Sequence, residues 1–212
     1  MTVPDPTPIY HLTHWSNLTS IVEQGGVLSL HEMQRRGLPH EDIAYHHIQE
    51  RREGVMVFSA AGGCLHDYAS LHFGLKSPML FTISKGNVPN QPEGQDPLIY
   101  LVSCAQQVEQ AGLSFAFTDG HATMAFTEFF EDLGQLGRVD WGVINARYWN
   151  DTPDAPDRKR RRQAEFLVHE QLPWRLVSEI GTFDAGIKDQ VQAIVQASEH
   201  RPAVHVRRNW YY

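Results

Sequence analysis

The stretch Arg158-Lys159-Arg160-Arg161-Arg162-Gln163-Ala164-Glu165-Phe166-Leu167-Val168-His169 sets five consecutive cations against an alternating run. In a strand, successive side chains point to opposite faces. Ala164, Phe166 and Val168 then share one face, most simply a core face, while Glu165, Leu167 and His169 share the other. This reading holds a carboxylate on a rigid element, one step past a loop dense in phosphate-seeking charge. An ordinary strand glutamate behind a solvated basic loop fits the same residues. The rest of the chain has to decide.

Working outward, short strands and short helices interleave without regular alternation. Residues 98–102 are almost wholly apolar and read as a central strand. Further strands are expected over 9–14, 55–58, 79–83, 115–118, 176–183 and 203–206. A helix starts at a Ser16 or Asn17 cap and stops at Gly25-Gly26. Others are expected over 41–53, from the Ser103/Gln106 capping pattern to Gly112, and over 184–199 with Ile187, Val191, Ile194 and Val195 inward. Phe126, Phe129, Phe130, Leu133 and Leu136 recur at helical spacing and read as core. Residues 29–39 read as polar and irregular, and 84–97 and 150–157 as loops. No repeat or clean linker divides the chain, so the expectation is one α+β domain over residues 1–212.

A chain of 212 residues can bury one substantial core. No apolar run approaches the ~20 residues that span a bilayer, and the Pro-rich start lacks the features of a signal peptide. Two cysteines, Cys64 and Cys104, build no disulfide scaffold. A reduced, cytoplasmic protein is expected, with no membrane association. The net charge of −7 argues against a global attraction for polyanions. Positive charge is nevertheless clustered, at Arg35-Arg36, Arg51-Arg52, 158–162 and Arg207-Arg208. A polyanion would be held by a local patch on an acidic body.

Twelve histidines invite a metal reading, but His11 and His14 fall on opposite faces of a strand and His46-His47 diverge on a helix. No H-E-x-x-H or cysteine pair at ligand spacing is present, so no metal is expected. Walker, G-x-G-x-x-G and G-x-S-x-G loops are also missing, and the carboxylate cluster of a nuclease is incomplete. Tyr148-Trp149 stand ahead of the basic run. Rings beside cations suit single-stranded nucleic acid, where stacking contributes ~1–3 kcal/mol per base. Half-buried packing is the alternative for both rings.

Several longer segments then carry a resemblance: I-Y-H-L-T-H-W-S-N-L from Ile9, I-A-Y-H-H-I-Q-E-R-R from Ile43, G-G-C-L-H-D-Y from Gly62, S-P-M-L from Ser77, F-T-D-G-H from Phe117 and Q-A-E-F-L-V from Gln163. In this order they resemble the DarT family, the DNA ADP-ribosyltransferase toxins of DarT–DarG modules, from about Pro8 to Tyr212. The resemblance implies a PARP-like ADP-ribosyltransferase fold: two small packed β-sheets with surrounding helices and a central NAD cleft. It implies transfer of ADP-ribose from NAD to a thymidine base in single-stranded DNA, with nicotinamide released and the macrodomain antitoxin DarG as partner. His11, Leu12, Thr13, Ser20, Leu28 and Arg52 would contact NAD, and residues 35–53 would cover it. Arg52 and Glu165 would be catalytic, with His121 near the reacting base. Lys76, Ser77, Pro78, Met79, Leu80, Phe81, Arg147, Tyr148, Trp149, Asn150, Lys159, Arg160, Arg161, Arg162 and Gln163 would contact DNA. The chain departs from the family at His72, where an aromatic ring is expected, and in the loop 84–97.

The chemistry of these residue types agrees. Breaking the glycosidic bond of NAD builds positive charge on the ribose, which a carboxylate such as Glu165 stabilises; loss of a preorganised group of this kind costs ~10²–10³ in rate. Arginine is a poor base, so Arg52 would stabilise a developing thymine anion, and a proton relay with His121 is open to it. Two rivals belong to other classes: an inert single-strand-binding module and an ADP-ribosyltransferase acting on RNA or protein.

Overall fold

The computed structural model describes residues 2–41, 43, 46–88 and 92–212, with His46 and His47 as backbone only. Its strands are β1 Pro8–His14, β2 Gly26–Leu28, β3 Tyr68–His72, β4 Leu98–Cys104, β5 Phe115–Thr118, β6 Phe129–Phe130, β7 Glu165–His169, β8 Gln171–Pro173, β9 Glu179–Thr182 and β10 Ala203–Val206. Eight of them form one sheet in the order β10-β9-β4-β1-β3-β7-β5-β6, and β2 pairs with β8 separately. The large sheet has a weak seam. β1 runs antiparallel to β4 along its whole length, whereas its register with β3 is the one pair Tyr10↔His72. The two small sheets expected from the sequence are therefore halves that touch at one pair, and the site opens along that seam.

The alternation in β7 is as expected, but both faces are covered. Phe166 and Val168 join the main core with Ile9, Ile99, Leu101 and Val191. Leu167 packs on the other side with Val57, Leu65, Tyr68, Ala116 and Ala122. Each of the Val, Leu, Ile and Phe side chains among them contributes ~1.5–3 kcal/mol by burial. A third cluster joins Leu12, Leu80, Ile83, Leu98, Tyr100 and Tyr211 beyond β1 and β4. The Tyr211 hydroxyl, 2.9 Å from the carbonyls of both Leu98 and Gly181, ties the chain end to the sheet.

The helices are α1 Leu18–Glu23, α2 Leu30–Arg35, α3 His46–Glu53, α4 Pro78–Ser84, α5 Ala105–Gln110, α6 Trp141–Ile144, α7 Arg158–Arg161 and α8 Ala185–Gln196. In α8, Val191 and Val195 are the fully buried positions, as the periodicity requires. Four expectations are corrected. Residues 79–83 are helix, not strand: Ser77 Oγ accepts the Leu80 N–H at 3.1 Å and Pro78 opens the first turn, a cap that outweighs the strand-like run. Residues 30–35 form α2, with Ser29 capping Glu32 in the same way. Residues 55–58 make only the bridge Met56↔Cys64. The aromatic stripe is not a helix, since Phe129–Phe130 are β6, Leu133–Arg138 are 3₁₀ and Phe126 is 84 % exposed. In the expected helix 41–53, positions 42, 44 and 45 lie outside the described residues, as do 89–91 of the loop 84–97.

Candidate active site

Glu165 opens β7 opposite His72 of β3 and is 1 % exposed. Its backbone N–H donates to Thr118 Oγ1 at the end of β5, 2.9 Å away, which fixes where the side chain leaves the strand. The carboxylate is held from three directions. Arg52 Nη1 donates to Oε2 at 2.8 Å and Ser70 Oγ to the same oxygen at 2.9 Å. The Ala122 N–H donates to Oε1 at 3.0 Å. Burial alone would raise the pKa of this group. The Arg52 guanidinium, then His72 and His121 when charged, and the Ala122 N–H outweigh it and hold the carboxyl at about 2. A carboxylate has roughly four acceptor positions, so about one stays open for a ligand.

Arg52 reaches Glu165 from the last turn of α3, where a cation also complements the helix dipole. Its Nη2 is buried and has no hydrogen-bond partner among the described residues. Such a donor is costly unless something accepts from it. Three histidines surround the pair. Burial pushes His11, His72 and His121 below the ordinary imidazole range, so each is neutral at pH 7. His11 Nδ1 lies 2.9 Å from the Ser70 carbonyl; a carbonyl only accepts, so Nδ1 carries the proton and Nε2 is the free acceptor. His121 has the opposite tautomer. Its Nδ1 accepts the Thr123 N–H at 3.3 Å, which leaves the proton on Nε2. That Nδ1 lies 3.8 Å from Glu165 Oε1, too far for a hydrogen bond. His72 Nδ1 is buried without a partner among the described residues.

These groups line a cleft of about 690 Å³ at the seam of the sheet, which also takes in His11, Leu12, Thr13, Ser20, Leu28 and Arg52, the whole set expected to contact NAD. Ser77, Pro78, Met79, Lys159, Arg160 and Gln163 line it too. A second cleft of about 680 Å³ is lined by Lys76, Phe81, Arg147, Tyr148, Trp149, Asn150 and Arg162, among others. The two share a rim where the chain passes from Lys76 to Ser77. Lys76 is left-handed there, at φ +55°, a conformation costing a non-glycine residue ~1–2 kcal/mol. A relay offsets that cost: Trp149 Nε1 donates to Tyr212 Oη at 2.9 Å, and Tyr212 Oη donates to the Lys76 carbonyl at 2.7 Å.

Several residues expected on the DNA are placed otherwise. Leu80 is fully buried in the core. Arg162, 6 % exposed, donates to the carbonyls of Val143, Ile144, Ala146 and Leu75. It is a rivet between loops, with only Nε left without a partner among the described residues. Arg160 pairs with Asp119 and Asp157, and Arg161 with Asp140 and Asp157. Of the ring pair, Trp149 is packed against Phe81, while Tyr148 is 70 % exposed under the Arg147 guanidinium. The exposed groups left to a strand are Lys159, Arg147, Tyr148 and Asn150, with Phe81 and Lys76 partly open. Sequence reasoning missed Ser70 and the Ala122 N–H as partners of Glu165, since only the register of β3 against β7 brings Ser70 near. One trio has metal-like spacing, His31, Cys64 and Asp67. Hydrogen bonds account for it: Asp67 accepts from the Cys64 N–H and pairs with His31, each at 2.7 Å.

The model of the family described as ssDNA thymidine ADP-ribosyltransferase, DarT, matches residues 10–212. The chain belongs to the DarT family. A DNA ADP-ribosyl transferase of Thermus sp. (strain 2.9) is 42 % identical over 213 residues, covering 100 % of this chain and 99 % of the relative. The solved structure of Thermus sp. 2.9 DarT in complex with ADP-ribosylated ssDNA matches at TM-score 0.92 and 41 % identity, over 100 % of this chain and 99 % of the other. The same DarT in complex with NAD+ matches at 0.86 and 37 %, over 100 % of both chains. A Thermosipho africanus (strain H17ap60334) DNA ADP-ribosyl transferase–DNA ADP-ribosyl glycohydrolase fusion protein is 22 % identical over 189 residues, 88 % of this chain and 45 % of its own length. The DarT fold is thus that of the present chain, mixed α and β with the cleft between sheet halves. No described helix is long and apolar enough to cross a membrane.

Proposed function

We infer that this protein transfers ADP-ribose from NAD to a thymidine base of single-stranded DNA and releases nicotinamide. The observation that carries the reading is the buried Glu165 carboxylate, ionised and held by Arg52, Ser70 and the Ala122 N–H on the wall of a dinucleotide-sized cleft in a DarT-family chain. As the ribosyl–nicotinamide bond breaks, positive charge grows on the sugar. Glu165, with one acceptor position open, takes a ribose hydroxyl and stabilises that charge without first having to reorganise. The thymine ring nitrogen loses its proton as it attacks. His121, protonated on Nε2, donates to the base, and the open Nη2 of Arg52 meets the developing negative charge. Neither is free to act as a strong base, so the proton passes to solvent. His11, Leu12, Thr13, Ser20 and Leu28 enclose the dinucleotide.

The DNA strand crosses the shared rim into the second cleft. Tyr148 stacks a base, Arg147 and Lys159 meet phosphates, and Lys76 and Phe81 form the floor. The whole chain, 1–212, works as one such domain. The partner is a DarG-type antitoxin, in keeping with the fused transferase and glycohydrolase of the Thermosipho relative. A cytoplasmic location suits an enzyme that acts on NAD and single-stranded DNA. The test is mass spectrometry of a thymidine-containing and a thymidine-free oligonucleotide, each incubated with protein and NAD. Addition of one ADP-ribose to the first alone is expected. No addition to either, with NAD left intact, rejects the reading and turns the search to RNA and protein acceptors.

A further inference from the structure

We propose that Arg160 is a positioning residue for the transfer, locking the loop that presents His121 and the Ala122 N–H to Glu165. It stands in the basic run, where the sequence suggests phosphate contact, yet its guanidinium has no donor to offer. Arginine has five N–H donors. Nε and one Nη2 hydrogen go to Asp157 at 2.9 Å each, the other Nη2 hydrogen to Asp119 at 3.1 Å, and Nη1 to Asp119 at 2.9 Å and Thr127 at 3.2 Å. That accounts for every one. The side chain is 11 % exposed and its Asp119 partner 20 %, so that charge-assisted pair is largely shielded from salt.

What Arg160 grips is the loop between β5 and β6. Asp119 lies at its start and Thr127 near its end, and the Arg160 carbonyl itself accepts the His121 N–H at 3.0 Å. Thr127 Oγ1, which accepts from Arg160, donates in turn to the His121 carbonyl at 2.7 Å. His121 is thus held at both its N–H and its C=O by one arginine and the threonine it orients. The next residue delivers the N–H that fixes Glu165 Oε1. Gly120 shows how closely the parts fit: a Cβ there would lie 2.3 Å from Arg160 Nη1. Asp157 anchors the other end of the clamp on the loop that lines the main cleft. The guanidinium touches no reacting atom, and acts through His121 and Ala122.

The inference rests on Glu165 as the catalytic carboxylate, so Glu165→Ala is measured beside the Arg160 set; an active Glu165→Ala protein overturns that assignment and the inference with it. Arg160→Met, Arg160→Lys, Asp119→Asn and the milder Thr127→Val are compared for kcat, for KM of NAD and oligonucleotide, for the salt dependence of oligonucleotide binding and for Tm. Arg160→Met should lower kcat by ~10–100-fold, the scale of a displaced catalytic group, with KM and salt slope unchanged. Lysine should restore only part, since it cannot span two carboxylates. Asp119→Asn should fall in the same direction and add little to Arg160→Met. If Arg160→Met does not fold, Thr127→Val carries the test with a smaller kcat loss at unchanged Tm. A flatter salt slope and raised oligonucleotide KM with kcat kept would make Arg160 a phosphate contact. A lower Tm with kcat kept in every variant would make it structural only. Either result rejects the proposal.

Discussion

Two arginine clusters that look alike in sequence are used in opposite ways. At the end of α3, Arg52 keeps one buried nitrogen without a partner among the described residues, beside the Glu165 carboxylate. In α7, Arg160 gives all five of its N–H donors to protein partners. Arg162, just after it, gives both terminal nitrogens to backbone carbonyls and keeps only Nε unpartnered among the described residues, away from any carboxylate. Lys159 is the exposed member of that run. The lesson concerns what makes a cation functional: not the density of charge, but where its donors are already spent. An open donor next to a buried carboxylate in a cleft points to a ligand. A saturated guanidinium is architecture.

The comparison fails first, and by the largest margin, at Glu165. Glu165→Gln should lower transfer by ~10²–10³ or more, with oligonucleotide affinity nearly intact; activity within a few-fold of the parent would dissolve the contrast. The same substitution bears on acid stability. Glu165 titrates at about 2 against an ordinary 4.5, so its contribution is complete above pH 4.5 and is lost as pH falls through about 2. The buried histidines, with folded values lowered, favour the native state above the usual imidazole range and cease to do so as pH falls below 6.5. In a pH series of Tm, the parent should lose stability in both windows, and in Glu165→Gln the lower step should shrink to what the lowered carboxyls of Asp67 and Asp157 leave. Next is Arg52→Lys, which keeps charge but not the fork. A charge-assisted hydrogen bond lost from the reacting complex, at ~1.5–3 kcal/mol, predicts a ~10–100-fold fall in kcat/KM. Parental kinetics would remove any need for the open Nη2.

On the architectural side, Arg162→Met should leave the salt slope of DNA binding alone and strand several buried carbonyls. At ~1–3 kcal/mol each, partly relieved by relaxation, a Tm fall of ~5–10 °C is expected at ~2–4 °C per kcal/mol for a chain of this size. An unchanged Tm with weaker DNA binding would reverse its assignment. The smallest effect belongs to Lys159→Gln. It should weaken oligonucleotide binding a few-fold and reduce the salt slope by ~0.7, the value of one phosphate contact on a single strand. A slope that does not move means no phosphate contact at Lys159.

Much of this architecture is legible in the amino-acid sequence. The central strand at 98–102, the strands at 9–14 and 115–118, α8 and the placement of Glu165 on β7 all follow from local periodicity, which tertiary packing reinforces. Where sequence and structure part, local signals compete. Met79-Leu80-Phe81-Thr82-Ile83 reads as strand by composition, but Ser77-Pro78 ahead of it is a helix start, and the cap decides. Ser29 and Glu32 spell the same kind of start for α2 in a segment whose polarity hides it. The aromatic stripe at 126–136 misleads because spacing says nothing about breaks; the loop held by Arg160 bends it out of any helix. At the site, Arg52, His121 and Glu165 stand out as residue types, yet the internal pairing of Arg160 and Arg162 does not. Asp157 is a neighbour in sequence, but Asp119 and the carbonyls of Val143, Ile144 and Ala146 are brought to them only by the fold.

The seam between β1 and β3 has a consequence for how such a cleft endures. Strand β1 is fully paired on its β4 side and meets β3 at Tyr10 alone, so beyond that point its edge opens toward the cleft. Main-chain donors and acceptors along such an edge need partners, and across the seam the Ser70 carbonyl of β3 has already taken the His11 ring. Side chains change with each substitution, but peptide groups do not. A pocket built on an unzipped ladder therefore keeps part of its hydrogen-bonding character through any mutational drift that spares the strands.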